Sequence, residues 1–225
     1  MKKIISISLL TVLFMTSGYS QDGNLKKQTY FRFGYSIPTW KFYGFDSKTD
    51  WPDEIKRTGV SFEIGNIFML NSIKLSPGMR LGINIDYLSL NYNRFSQPDI
   101  ISENFIMAGS KIGPSFSYSP VKRLVFDAYF KFNPVWAAGN FRNYTLESAE
   151  DQFYLGFMGI KYSVGMNVRY SVLMAGIELN PGYLRKMRLF DDENAEFTDI
   201  YMENVNDNGN KVPAPVLNLT LGLSF

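Results

Sequence analysis

Two residue types are missing from this 225-residue chain, because it contains no cysteine and no histidine. Without cysteine there is no disulfide, no thiolate metal ligand, no cysteine nucleophile and no lipidated cysteine. Without histidine there is no histidine-based triad or general base, and nearly every usual zinc or copper site is excluded. We therefore expect no cofactor, no metal and no catalytic residues, and we interpret the protein as a non-enzyme.

Net charge is also nearly absent. The chain has 23 basic and 21 acidic residues, which give a formal charge of +2, so composition offers no argument for nucleic acid as a partner. Aromatic residues, in contrast, are abundant at 16%, with 19 Phe and 14 Tyr. Aromatic side chains collect at membrane interfaces, which makes a membrane protein a reasonable hypothesis.

A continuous apolar run occurs at the N-terminus and not later in the chain. Residues 1–3 are basic after the initial Met, residues 4–15 are apolar or carry small hydroxyl groups, and residues 16–20 are mostly small. This order is typical of a cleavable secretory signal, and the run is shorter than the roughly 20 apolar residues of a membrane-spanning helix. We predict a signal peptide over residues 1–20 and one domain over residues 21–225.

The remaining chain is patterned as strands, with apolar and polar residues alternating at a period of two in eight stretches. Four long connectors alternate with three short ones, which is the pattern of an antiparallel up-and-down transmembrane β-barrel of bacteria. We predict this all-β fold with about eight strands and four long outer loops. The predicted strands are residues 29–37, 57–68, 79–87, 105–118, 124–136, 153–165, 170–183 and 216–225; the long connectors are 39–56, 91–104, 137–152 and 184–213; the short ones are 71–78, 119–123 and 166–169.

The last strand has the most regular alternation. One face carries only apolar residues, and the opposite face carries Asn218, Thr220, Gly222 and Ser224. The apolar column is Leu217, Leu219, Leu221, Leu223 and Phe225.

With the signal at residues 1–20, this column resembles the small eight-stranded outer-membrane barrels of the OmpA and OmpX kind and the outer membrane protein beta-barrel domain family. The resemblance implies that the chain resides in the outer membrane, in contact with its lipid. It also implies that the barrel assembly machinery inserts the chain through the C-terminal strand. It implies nothing about chemistry.

If the apolar face of each strand contacts lipid, the polar face points into the lumen. An eight-stranded barrel is only just wide enough to be filled by side chains, so four cations and four anions there must lie close together and pair. We expect a plugged lumen and a structural or surface-interaction role; the alternative is a narrow channel for small or apolar solutes. The predicted lumen-facing charges are Arg32, Glu63, Asp86, Lys111, Asp127, Lys131, Lys161 and Glu178.

Three other hypotheses follow from the same patterns. Trp40, Trp51 and Trp136 fall near outer strand ends, where they form either an interfacial girdle or a surface for an unknown extracellular ligand. Residues 204–209 resemble the start of a calcium loop, but its twelfth position would be Pro215 instead of Glu, which favours a turn. A soluble lipocalin-like barrel would instead place the apolar faces inside.

Overall fold

The computed structural model describes residues 28–39, 56–76, 78–97, 101–143, 152–187 and 211–225. The predicted signal peptide, Trp40, Trp51 and residues 204–209 lie outside these ranges. No helix in the described ranges is long and apolar enough to cross a membrane. The described strands are β1 (Gln28–Pro38), β2 (Lys56–Ser76), β3 (Met79–Gln97), β4 (Ile101–Val121), β5 (Leu124–Asn143), β6 (Gln152–Tyr170), β7 (Leu173–Asn180), β8 (Gly182–Met187), β9 (Lys211–Pro213) and β10 (Val216–Ser224).

These strands form one closed antiparallel barrel. The order is β5-β4-β3-β2-β1-β10-β7-β6, and a further pairing of β5 with β6 closes the sheet. β8 pairs with β6 beyond the end of β7, so β7 and β8 together form one barrel strand. β9 pairs with β8, so β9 and β10 together form the next one. The ten segments therefore occupy eight positions, and the predicted all-β, eight-stranded fold is confirmed.

Where the charged residues are buried, the sheet has a polar inner face and an apolar outer face. Along β5, Asp127, Tyr129 and Lys131 are buried, whereas Phe126 and Phe130 are 37% and 48% exposed. On β10, Leu219 and Leu221 are likewise outside, at 46% and 71%. The lipocalin-like alternative required an apolar interior, so this arrangement contradicts it.

The apolar outer surface has the height of a bilayer core. In β5 the outward column of large apolar residues runs from Phe126 to Trp136. Ten steps of about 3.3 Å on a strand tilted by about 45° rise roughly 23 Å, close to the apolar band of about 25 Å on outer-membrane barrels.

A β-bulge in β3 keeps this polarity over a long strand. Asp86 pairs with Gly65 while Leu88 pairs with Ile64, so β3 carries one extra residue at Tyr87. Tyr87 and Leu88 both face outward, and the alternation then resumes with Asn91 buried. Without the extra residue, the outer half of β3 would point its apolar side chains into the lumen.

Several predicted boundaries are wrong. β3 continues to Gln97 and β4 begins at Ile101, so most of the predicted loop 91–104 is strand; β5 and β6 likewise extend into the predicted loop 137–152. Polar residues on both faces resemble a loop in sequence, yet the hydrogen-bonded ladder continues through them. The predicted turn at 166–169 is also strand, and the chain turns at Ser171 and Val172, where Ser171 has a φ of 56°.

Candidate functional site: the polar barrel interior

The eight charged residues selected from sequence all lie inside the barrel. Each is exposed by 2% or less, and they come from seven different strands. They are Arg32, Glu63, Asp86, Lys111, Asp127, Lys131, Lys161 and Glu178. A ninth, Arg169, is 1% exposed and was missed because it fell in the wrongly predicted turn. The available signal was the continued alternation of Met166 and Val168 with Asn167 and Arg169.

Four of these residues form a ring across the middle of the lumen, which we call the central ring: Arg32, Glu63, Lys111 and Glu178. Arg32 Nη2 lies 2.7 Å from Glu178 Oε2, and its Nε pairs with Glu63. Lys111 Nζ pairs with the same two carboxylates. Two cations and two anions thus alternate, so each charge has two opposite neighbours, which buried ions need to offset desolvation.

Tyr129 completes this ring from β5. Its hydroxyl accepts a hydrogen bond from Arg32 Nη1 at 2.8 Å and donates one to Glu178 Oε2 at 2.8 Å. Gly165 on β6 is the strand partner of Tyr129, and a Cβ added at Gly165 would collide with the Tyr129 hydroxyl. Strand parity placed Tyr129 on the polar face, but only the fold shows that it contacts Arg32.

A second ion pair lies beside the central ring. Lys131 Nζ is 2.7 Å from Asp86 Oδ2 and 4.2 Å from the centre of the Tyr129 ring. The Tyr30 hydroxyl contacts both Asp86 and Asn84, the latter at 2.6 Å. Tyr30 and Tyr129 therefore fill the space between the charged groups and connect the Lys131–Asp86 pair to the central ring.

A third ion pair lies nearer the short turns. Arg169 donates from Nε to Asp127 Oδ2 at 2.5 Å and from Nη2 to Oδ1 at 2.8 Å. Ser117 donates to Asp127 Oδ1 at 2.5 Å. This two-point geometry fixes both side chains, because the planar guanidinium matches a carboxylate.

The other half of the lumen is lined by amides and by buried apolar side chains such as Phe105 and Phe157. Asn91 Nδ2 donates to Ser36 Oγ at 2.7 Å and to Asn218 Oδ1 at 3.2 Å, and Ser163 donates to Asn180. Lys161 lies at this level, where its Nζ contacts Met107 Sδ at 3.7 Å. A small cavity lies among these side chains. The volume open to the centre of a water molecule there is about 20 Å³.

No family model matches the chain, and neither does any curated protein. Among solved structures, Ail, the attachment invasion locus protein of Yersinia pestis, is similar with a TM-score of 0.50 and 10% identity, over 89% of this chain and 99% of Ail. Ail in complex with the heparin analogue sucrose octasulfate gives 0.49 and 11% over the same shares. The outer membrane protein OprG from Pseudomonas aeruginosa gives 0.34 and 8%, over 90% of this chain and 98% of OprG.

The chain has the fold of the small outer-membrane β-barrels. At such low identity the likeness extends to the fold alone. The apolar belt around this outer-membrane barrel fold agrees with the predicted outer-membrane location.

The C-terminal column closes the barrel. β10 pairs with β1 on one side and β7 on the other. Phe225 exchanges backbone hydrogen bonds of 2.8 and 2.9 Å with Thr29, and its ring packs edge-on against Phe31 with centroids 6.1 Å apart. Leu219, Leu221 and Phe225 are exposed outside, whereas Leu217 and Leu223 are half-buried between their neighbours.

The interior carboxylates are close enough to one another to suggest a cation site. Oxygen atoms of Glu63, Asp86 and Glu178 lie within 4.8 Å of each other. Each of these carboxylates, however, already pairs with a lysine or arginine side chain. A metal ion would have to displace those cations, so the donor set fits an ion-pair network better than a metal site.

Proposed function

We propose that this protein is a non-conducting outer-membrane barrel with a structural role that displays an interaction surface outside the membrane. The observation that carries the proposal is the central ring, because side chains from β1, β2, β4, β5 and β7 meet there at one level. A solute crossing that level would have to break several buried charge-assisted hydrogen bonds at once.

The small size of the neighbouring cavity supports a closed lumen. The volume open to the centre of a water molecule in this cavity is about 20 Å³. On the same measure, a single water requires roughly 10–15 Å³. That is room for one or two water-sized particles and not for a sugar or an apolar solute. The Asp127–Arg169 pair adds a further closed level between the central ring and the short turns.

Strand extensions beyond the apolar belt support the display role. Beyond the belt, toward the long connectors, β2, β3 and β4 carry polar residues that point away from the lumen: Thr58, Arg94 and Asn104. Tyr92, whose hydroxyl donates to Asn104 Oδ1 at 2.6 Å, lies where apolar side chains give way to these polar ones. A rigid hydrogen-bonded rim of this kind would hold the connecting segments for an extracellular ligand that is not yet identified.

The same proposal gives the protein no enzymatic role. A carboxyl group that acts as a general acid or base must be within reach of the substrate. Glu63, Asp86, Asp127 and Glu178 are each exposed by 1% or less and each lies in an ion pair. The partners we propose are outer-membrane lipid and the assembly machinery that folds such barrels into it.

Planar-bilayer conductance tests the closed lumen. We expect the wild type to show no steady single-channel steps, whereas Arg32→Ser with Glu178→Ser, which removes one matched pair from the central ring, should conduct ions. The control is Leu219→Ser, a comparable truncation on the lipid side, which should stay silent. Steady steps in the wild type would favour the narrow-channel alternative.

Deleting the longest connector tests the display role. We expect cells carrying the barrel without residues 188–210 to adhere less to host cells or matrix than cells carrying the whole chain. Folded barrel in the membrane must be equal in both strains. Unchanged adhesion after this deletion and after separate deletions of residues 40–55, 98–100 and 144–151 would remove the display role and leave only the structural one.

A further inference from the structure

The buried charges of the barrel interior do not balance. Nine charged side chains in the described part of the chain are buried, and four of them are carboxylates. The remaining five are cations: Arg32, Lys111, Lys131, Lys161 and Arg169. With all nine groups ionised, one positive charge is therefore in excess.

The excess cation is Lys161. Arg32 and Lys111 share Glu63 and Glu178, Lys131 pairs with Asp86, and Arg169 pairs with Asp127. Among the residues that the structure describes, none places a carboxylate within 4.0 Å of Lys161 Nζ.

The position of Lys161 makes this imbalance costly. Its side chain is 2% exposed, and Met107 Sδ, a weak acceptor, is its hydrogen-bond partner at 3.7 Å. Burial without a counter-ion disfavours the ammonium form of Lys161, and an anion from outside the chain would stabilise that form.

A cavity lies at this side chain. Lys161 and Lys111 line it together with Asn133 and Asn180. Asn133 sits opposite Lys161 in the β5–β6 ladder, and its Oδ1 has no hydrogen-bond partner among the described residues. Because Oδ1 makes no hydrogen bond, turning the amide so that its N–H donors face the cavity would break none at that atom. Ammonium and amide N–H groups are the donors that an anion needs.

The volume limits what can enter. About 20 Å³ for the centre of a water-sized particle admits one or two such particles, since one water needs roughly 10–15 Å³. A monatomic halide is close to water in size, whereas a phosphate, a sulfate or a sugar acid is too large.

We propose that this cavity binds one chloride-sized monovalent anion, which is the counter-ion of Lys161. With that anion, five cations face four carboxylates and one halide, and the interior becomes neutral. The inference does not depend on whether the barrel displays a ligand-binding surface, because it concerns only the buried charges.

Thermal unfolding in different salts tests the site. Full-length protein folded in detergent micelles is heated in sodium chloride and in sodium gluconate at equal ionic strength. Chloride should raise the unfolding temperature in a saturable way, and gluconate, which is too large for the cavity, should not. Lys161→Met should remove the chloride-dependent increase, whereas Lys122→Met, an exposed lysine in a short turn, should retain it.

Bromide provides an independent readout on the wild type and decides the matter if Lys161→Met does not fold. Crystals grown with sodium bromide should show anomalous density in the cavity within about 3.5 Å of Lys161 Nζ, a hydrogen-bond distance. Equal unfolding temperatures in the two salts, a chloride effect that persists in Lys161→Met, or bromide found only on the surface would each overturn the proposal.

Discussion

Single residues in this barrel are stabilised by partners far away in sequence. Arg32 reaches Glu178, 146 residues later, and Tyr129 lies 97 residues from Arg32. Each buried charge would be strongly unfavourable alone, because its desolvation is repaid only by well-placed opposite charges and hydrogen bonds. Removing one partner therefore costs more than the pair itself contributes, since the other is left uncompensated.

The isolated Asp127–Arg169 pair offers the clearest test of this asymmetry. Asp127→Asn leaves Arg169 as a buried cation, and we expect the free energy of unfolding to fall by about 3–5 kcal/mol. It is measured by denaturant titration in lipid vesicles. Replacing both residues by Leu should cost less than Asp127→Asn alone. The control is Lys56→Gln on the exposed surface, which should change stability by less than about 0.5 kcal/mol; a similarly small effect of Asp127→Asn would contradict the argument.

Sequence could identify which side chains are inside but not which of them meet. Asp127 and Lys131 were placed in the lumen because they alternate with Phe126, Phe130 and Phe132, and that is where they lie. Their partners depend on the stagger of strands around a closed barrel, which no local pattern encodes. Asp127 therefore pairs with Arg169 of β6, and Lys131 pairs with Asp86 of β3.

The strands differ from their predicted lengths for one physical reason. Alternation marks a strand only where one face contacts lipid and the other the lumen. Beyond the apolar belt the outward residues, such as Arg94, are also polar, so β3 as far as Gln97 and β5 as far as Asn143 were predicted as loops although their ladders continue. The bulge at Tyr87 was also undetectable, because Tyr87 and Leu88 are both plausible outward residues.

Closure of the sheet by β10 can be tested by cross-linking, and the absence of native cysteine makes the experiment simple. Phe33 of β1 and Leu221 of β10 are direct partners on the outer face. Opposite residues in antiparallel strands have Cα atoms about 4.5–5.5 Å apart, within the range for a disulfide. We expect Phe33→Cys with Leu221→Cys to cross-link under oxidation, which a shift of the heat-denatured protein on a non-reducing gel would detect.

A displaced pair serves as the control for this closure. Leu217 lies on the same outward column of β10 but opposite Ile37, four residues from Phe33. Phe33→Cys with Leu217→Cys should therefore remain reduced under the same conditions. Equal cross-linking of both pairs, or of neither, would contradict the register between β1 and β10.

The molecule as a whole is inverted relative to a soluble domain, with ions in the centre and large apolar side chains outside. That inversion is why the fold could be predicted from sequence: along β5, for example, Asp127 and Lys131 fall on one parity and Phe126, Phe130 and Phe132 on the other. The structure adds that nine charged side chains from seven strands are buried together inside the barrel. Such an interior is compatible with stability only if the outer surface is also out of water.

Arginine substitution along one strand tests whether the apolar belt contacts lipid. Val164 and Tyr170 both face outward on β6, at 49% and 59% exposure, but Val164 lies near mid-belt and Tyr170 next to the short turn. We expect Val164→Arg to lower the free energy of unfolding in lipid vesicles by about 2–4 kcal/mol and Tyr170→Arg by about 0–1 kcal/mol, because the cost depends on depth. In a barrel surrounded by water, neither exposed arginine would cost more than about 0.5 kcal/mol. Equal, small effects at both positions would therefore show that this surface does not lie in a membrane.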